Sequence, residues 1–141
     1  EAPVNIAWSR RNRSPLIRVP DRRGTGTRLE FRMPDPSCNP YLALAVQLAA
    51  GLDGLENEID PGPPVETNVW ELSEKEREEA GIRTLPANLG EAIGELEQDS
   101  VLRDALGDHI FEHFVEAKKE EWSDYIAQVS DWELNRYLGQ Y

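Results

Sequence analysis

The residues best suited to chemistry lie in one short run, Arg28-Leu29-Glu30-Phe31-Arg32-Met33-Pro34-Asp35-Pro36. In an extended strand successive side chains point to opposite faces. Arg28, Glu30 and Arg32 therefore share one face, and Leu29, Phe31 and Met33 share the other. The polar face sets a carboxylate between two guanidiniums. Carboxylate oxygen is a natural ligand for Mg²⁺ or Mn²⁺, and a planar guanidinium binds phosphate bidentately while keeping its charge. A second cationic stretch precedes it, Arg10-Arg11-Asn12-Arg13-Ser14-Pro15-Leu16-Ile17-Arg18-Val19-Pro20. Two Arg-rich strands beside a carboxylate suit a site that holds phosphates and a divalent metal together. Each stretch also has a plainer reading: a solvated strand face with its own ion network, and a basic edge strand that discourages aggregation.

Other candidates are weaker. Gly24-Thr25-Gly26-Thr27 lacks the following Lys-Ser/Thr and helix of a phosphate loop, and reads as a flexible hairpin tip. The spacing of His109 and His113 puts both on one helix face with Glu112 and Glu116 nearby, a conceivable metal pair without an identified third ligand. Cys38 has no assignable partner base and reads as a small packed residue before a helix cap.

The elements that must carry these residues follow from pattern. Residues 4–9, 14–20 and 28–33 read as strands, with Pro15 confining the second to an edge or bulge, and 21–27 as a loop. Pro34-Asp35-Pro36-Ser37 ends the last strand. Asn39 as N-cap and Pro40 at the first helical position open a helix. Tyr41 to Leu52 is apolar nearly all round, which predicts a buried helix. Asp60-Pro61-Gly62-Pro63-Pro64 is a rigid loop. Ser73-Glu74-Lys75-Glu76 and Ser130-Asp131-Trp132-Glu133 are capping-box openings, and Asn88 to Glu91 repeats the pattern before Ala92, Ile93 and Leu96. Ser100 is read as the cap of 101–106, with Gly107 as its stop, and 108–129 as a long amphipathic helix. Strands first and helices after is an α+β order: strands over 1–36, a mainly helical part over 37–141. So few strands make a poor independent sheet.

With 141 residues, 39% of them hydrophobic, the chain fits one domain with a real core. Its net charge of −12 is unevenly spread. Residues 1–32 hold 8 Arg against 3 acids, and the remainder holds 7 basic residues against 24 acids. So acidic a chain repels nucleic acid and anionic membrane, and the basic segment must act locally. Of its basic residues, Lys75, Lys118 and Lys119 are the 3 lysines, a low-Lys, acid-rich composition that suits high salt and a halophilic source. The single Cys permits no internal disulfide and points to a reducing, cytoplasmic compartment. No apolar run approaches the ~20 residues of a membrane span. The chain opens without Met, already in strand-like sequence, and reads as a piece of something longer.

Asn12-Arg13-Ser14 with Leu16-Ile17-Arg18-Val19-Pro20, then Arg28 to Pro36, then Asn39-Pro40-Tyr41-Leu42, resembles the C-terminal part of the catalytic domain of type I glutamine synthetase. Glu1-Ala2-Pro3-Val4, Gly51-Leu52-Asp53-Gly54 and the closing Trp132-Glu133, Tyr137 and Tyr141 agree, so the resemblance spans residues 1–141. It implies antiparallel strands of the family's catalytic barrel followed by helices. It also implies an ATP-dependent glutamate–ammonia ligase working through γ-glutamyl phosphate with Mg²⁺ or Mn²⁺, and a homo-oligomeric ring when complete. By resemblance, Glu1 matches the carboxylate that shields the intermediate and takes a proton from ammonium. Arg13 matches the arginine on the transferring phosphate, and Arg18 and Arg28 match ligands of the nucleotide phosphates. Glu30 matches a metal ligand, and Arg32 an arginine at the glutamate side chain and developing acyl phosphate. Some members carry a regulatory Tyr where Trp70 stands here; Trp has no hydroxyl, so adenylylation at that position is excluded.

The family's other metal ligands and its ammonium-pocket Asp have no match in this chain, so the isolated segment is expected to be inactive. Two further readings stand beside this one. The first is a glutamine-synthetase-like ligase that joins glutamate to a larger amine. The second is a non-catalytic anion-binding or interaction module.

Overall fold

The computed structural model describes residues 3–139. The chain divides into two compact units, Glu1–Leu85 and Pro86–Tyr141. Four strands build the first: β1 (Asn5–Ser9), β2 (Pro15–Arg18), β3 (Glu30–Phe31) and β4 (Arg83–Thr84), in sheet order β3-β2-β1-β4. The α+β expectation holds. The sheet is nevertheless mixed, because β1 and β2 run parallel, with Asn5 opposite Pro15 and Ser9 opposite Arg18, whereas the resemblance implies antiparallel strands. Parallel neighbours ordinarily need a long crossover. Here β1 is so short that six residue steps, with a reach of about 20 Å, cover the return of about 14 Å to the start of β2. β3 and β4 both pair antiparallel.

The strands are shorter than the sequence leads one to expect. Pro15 has no N–H to extend β2 backwards, and Pro34 closes off the end of β3. One bond persists beyond that ladder, from the Arg32 amide to the Leu16 carbonyl at 3.0 Å. β4, an exposed two-residue edge strand, carries no apolar alternation and is invisible to pattern reading. The apolar side of the sheet is where alternation puts it for Phe31 and Met33, whereas Leu29, which precedes β3, is 63% exposed. Phe31 and Met33 line an open groove of about 850 Å³ with Ile6, Trp8, Ile17 and Val19.

Helix α1 (Pro40–Glu56) starts as the sequence dictates. The Asn39 side chain accepts from the Tyr41 and Leu42 amides, with Pro40 in the first turn. Its predicted burial is corrected. Tyr41, Leu44 and Leu48 are 83%, 66% and 64% exposed. A helix apolar on all sides needs cover on all sides, and the described residues do not supply it. After the rigid loop come a single 3-10 turn at Val69–Glu71 and α2 (Glu74–Glu79), which opens with the predicted reciprocal Ser73–Glu76 capping box.

The second unit is helical: α3 (Leu89–Gln98), α4 (Ser100–Ile126) and α5 (Asp131–Tyr137). Ile93, Phe111 and Val115 form its buried core, packed by Leu89, Leu96, Leu106 and Trp122. Gly90 is what admits Trp122: a Cβ there would sit 2.6 Å from the indole nitrogen. The cap of α4 is Asp99, whose side chain accepts from the Leu102 amide, rather than Ser100. Gly107 interrupts α4 at φ 72°, ψ 152°, a region essentially reserved for glycine. Arg103 bridges the kink, donating to Asp108 and Glu112 at 2.9 Å each and lying 4.8 Å from the Phe111 ring centre. α5 opens with the predicted Ser130–Glu133 capping box. Among the described residues no helix is long and apolar enough to cross a membrane.

Candidate active-site face

Opposite the groove, β2 and β3 bring three charged side chains together. Their antiparallel register places Arg18 directly opposite Glu30, and cross-strand neighbours at that spacing touch. Arg18 Nη2 donates to Glu30 Oε1 at 2.9 Å, and its Nε lies 2.8 Å from Oε2. Arg28, two residues before Glu30, donates to Oε1 through Nη2 and Nε at 2.6 and 3.0 Å. The Arg18 and Glu30 side chains retain only 17% and 29% of their exposure, so this pair is partly withdrawn from water. The Arg18 hydrogen bond, and then that of Arg28, holds the Glu30 carboxyl below its ordinary value of 4.5, because both favour the ionised form. Glu30 is thus an anion at neutral pH.

The two oxygens of Glu30 are not equally engaged. Oε1 accepts from both arginines. Oε2 has the Arg18 Nε close by, yet that N–H is not aligned for a hydrogen bond, and Nε is a buried donor without a partner. Proximity gives the electrostatic attraction, and Oε2 accepts no aligned hydrogen bond among the described residues. That oxygen fits a divalent cation. Among the described residues no group of three or more His, Cys, Asp or Glu is placed to hold a metal, so Glu30 could be one ligand of such an ion rather than its whole cage.

Arg32 follows immediately after β3. It is half-buried, and its Nη1 is buried without an acceptor. Leaving a charged donor unsatisfied costs free energy, and an anionic oxygen would relieve it. This is the feature that fits a phosphate or acyl phosphate. Arg13 sits in the link between β1 and β2, exposed and without an ion-pair partner among the described residues. Glu1 lies outside the described residues.

The remaining candidates are placed plainly. His113 Nδ1 lies 2.9 Å from the His109 carbonyl oxygen and the two rings are 4.4 Å apart, with no metal cluster around them among the described residues. Gly24–Gly26 forms a 3-10 turn. Cys38 is exposed rather than packed. Asp35 explains this: its side chain and carbonyl accept from the Ser37 and Cys38 amides, folding 35–38 into a surface turn. Trp70 lies in the 3-10 turn, half exposed, below the Asn68 cap. Sequence reasoning gave no part to Glu66, whose carboxylate accepts from the Arg10 and Arg11 amides. The two stretches are more than fifty residues apart, and no periodicity links them.

Residues 1–137 match the family model for the glutamine synthetase catalytic domain. The chain belongs to this family. It is 58% identical over 138 residues to a glutamine synthetase of Methanosarcina mazei, a match covering 98% of this chain and 31% of that protein. It is 56% identical over 141 residues to one of Thermus thermophilus, covering 100% and 32%. The glutamine synthetase of Halobacterium salinarum is 55% identical over the same length, covering 100% and 31%. The chain therefore spans about a third of the length of these relatives. Among solved structures, a GmaS–ADP complex superposes with a TM-score of 0.85 at 38% identity, over 97% of this chain and 30% of that one. Ligand-free GmaS superposes at 0.79 and 37% identity, over 98% and 31%. The α+β arrangement of this chain is thus shared with both GmaS structures.

Proposed function

We propose that this chain is the C-terminal part of a glutamine synthetase catalytic domain and forms the phosphate-holding side of its active site. The observation that carries the reading is the pairing of an anionic Glu30 with two arginines, Arg18 and Arg28, beside a third, Arg32, that keeps a buried donor free. Phosphoryl transfer asks little covalent chemistry of a protein. It asks for positioning and for charge neutralisation on the oxygens. Arg18 and Arg28 bind the nucleotide phosphates, as befits a family with a solved ADP complex of GmaS. Arg13 meets the phosphate in transit. Arg32 orients the glutamate side chain and stabilises charge on the acyl phosphate. Glu1 takes a proton from ammonium, which must be deprotonated before it attacks.

Glu30 would hold Mg²⁺ or Mn²⁺ through Oε2, and the ion would supply charge neutralisation at the ATP phosphates. The substrates are glutamate, ammonia and ATP. The complete enzyme is a cytoplasmic homo-oligomeric ring, and its acid-rich, Lys-poor surface is adapted to high salt.

The test is ATP- and glutamate-dependent phosphate release by the intact enzyme with ammonia and, separately, with larger primary amines. Ammonia as the preferred acceptor, with no turnover by the 141-residue chain alone, supports the proposal. Preference for a larger amine contradicts the substrate assignment. Robust synthesis by the chain alone contradicts the reading that it supplies only the phosphate-holding side of the site.

A further inference from the structure

The Arg13 side chain has no partner among the described residues, while the backbone on both sides of it is held. The Asn12 side chain is used at both ends: its Oδ1 accepts from the Ser14 amide at 2.9 Å, spanning Arg13, and its Nδ2 donates to the Thr67 carbonyl at 2.5 Å. The Ser9 hydroxyl donates to the Asn12 carbonyl at 2.6 Å. Ser14 Oγ accepts from the amide of Val69, a fully buried residue, at 3.0 Å. Upstream, Glu66 closes the arrangement: Oε1 accepts from the Arg10 amide at 3.0 Å and Oε2 from the Arg11 amide at 3.4 Å. Residues 66–69 thus grip the link on both sides of Arg13. Consecutive amides converging on one carboxylate form an anion-holding concavity, here filled by the protein's own Glu66.

We propose that Asn12 and Glu66 are positioning residues for Arg13, fixing the backbone from which its guanidinium reaches the transferring phosphate. The proposal rests on the reading of Arg13 given above. Without the clamp the five-residue link has several conformations open to it, and a phosphate-binding group displaced by about 1 Å costs up to about 100-fold in rate.

The test uses the intact enzyme carrying Glu66→Gln, Asn12→Asp, Arg13→Ala and the Arg13→Ala/Glu66→Gln pair. Gln is isosteric at an exposed position, whereas Asp keeps the Ser14 contact but sets a carboxylate oxygen against the Thr67 carbonyl, so the thermal midpoint of each variant is measured beside its kcat. The expected result has three parts. Each single clamp variant loses about 10–100-fold in kcat with KM for ATP and glutamate changed by less than about 3-fold. Amide hydrogen exchange across residues 10–14 rises. The double variant is no slower than Arg13→Ala alone, because both act through one group. Wild-type kcat in both clamp variants, or losses that multiply with Arg13→Ala, overturn the proposal even if exchange rises. Wild-type kcat in Arg13→Ala overturns it at a different point, since that result refutes the role of Arg13 itself.

Discussion

The two units of this chain treat polar groups in opposite ways. In the second, Ile93, Phe111 and Val115 form an apolar core, and charges pair at the surface with near neighbours, as Arg103 does with Asp108 and Glu112, or Lys118 with Glu121. In the first, Asn5, Ser9 and Ser14 are buried, and a carboxylate sits between two guanidiniums. Every buried side-chain atom without a partner among the described residues lies there, on Asn5, Arg18 and Arg32. Unsatisfied buried groups weaken a fold. The second unit is held by apolar packing, while the first keeps its unpartnered polar groups, two of them on the arginines Arg18 and Arg32 of the proposed phosphate face.

The comparison breaks most easily at Arg32. Arg32→Ala in the intact enzyme is expected to lower kcat by about 10²–10³-fold, the scale for loss of one preorganised charge-stabilising donor, with the thermal midpoint unchanged or raised because an orphaned donor is gone. Steady-state kinetics beside calorimetry checks both halves. The converse change is Phe111→Ala, in a core position only 3% exposed. It should cost about 3–5 kcal/mol in urea unfolding, since it also removes the surface on which Arg103 lies.

Gly107→Ala sharpens the contrast with a purely backbone effect. Nothing lies within 4 Å of the added Cβ, so the expected loss of about 1–3 kcal/mol in the same unfolding assay is the strain of φ 72°, ψ 152°. The smallest effect is titration of Glu30. Its folded carboxyl titrates below 4.5 because of Arg18 first and Arg28 second. A depressed folded value means that the stabilisation is fully present above about pH 4.5 and is lost as pH falls through the folded value. The urea midpoint of the wild type should therefore exceed that of Glu30→Gln by a constant amount near neutrality, and the gap should close in acid.

Much of this was legible in the sequence, for reasons that differ by residue. Asn39-Pro40, Ser73 to Glu76 and Ser130 to Glu133 announce helix starts because capping is local chemistry, settled within four residues. The alternation from Arg28 to Met33 separates the Arg–Glu face from the groove because a strand has a period of two. What the sequence hid was set at a distance or by geometry. The parallel pairing of β1 and β2 depends on the reach of a five-residue link. β4 is recruited by an edge rather than by its own pattern. The Glu66 clamp joins residues more than fifty apart. The burial expected of α1 failed because an apolar helix states a need for cover without stating what meets it. Ser100 reads as the cap of α4 from its sequence, but the helix starts one residue earlier than that reading and the Asp99 side chain takes the Leu102 amide.

The most direct test of the central claim, that the Glu30 face holds phosphate and metal, is Mn²⁺ binding to the intact enzyme, followed by electron paramagnetic resonance with ADP present, in the wild type and in Glu30→Gln. Loss of one bound Mn²⁺ per subunit, or weakening of one site on the order of 10–100-fold, is the predicted result. Unchanged stoichiometry and affinity in Glu30→Gln would contradict it and leave the carboxylate a structural partner of Arg18 and Arg28.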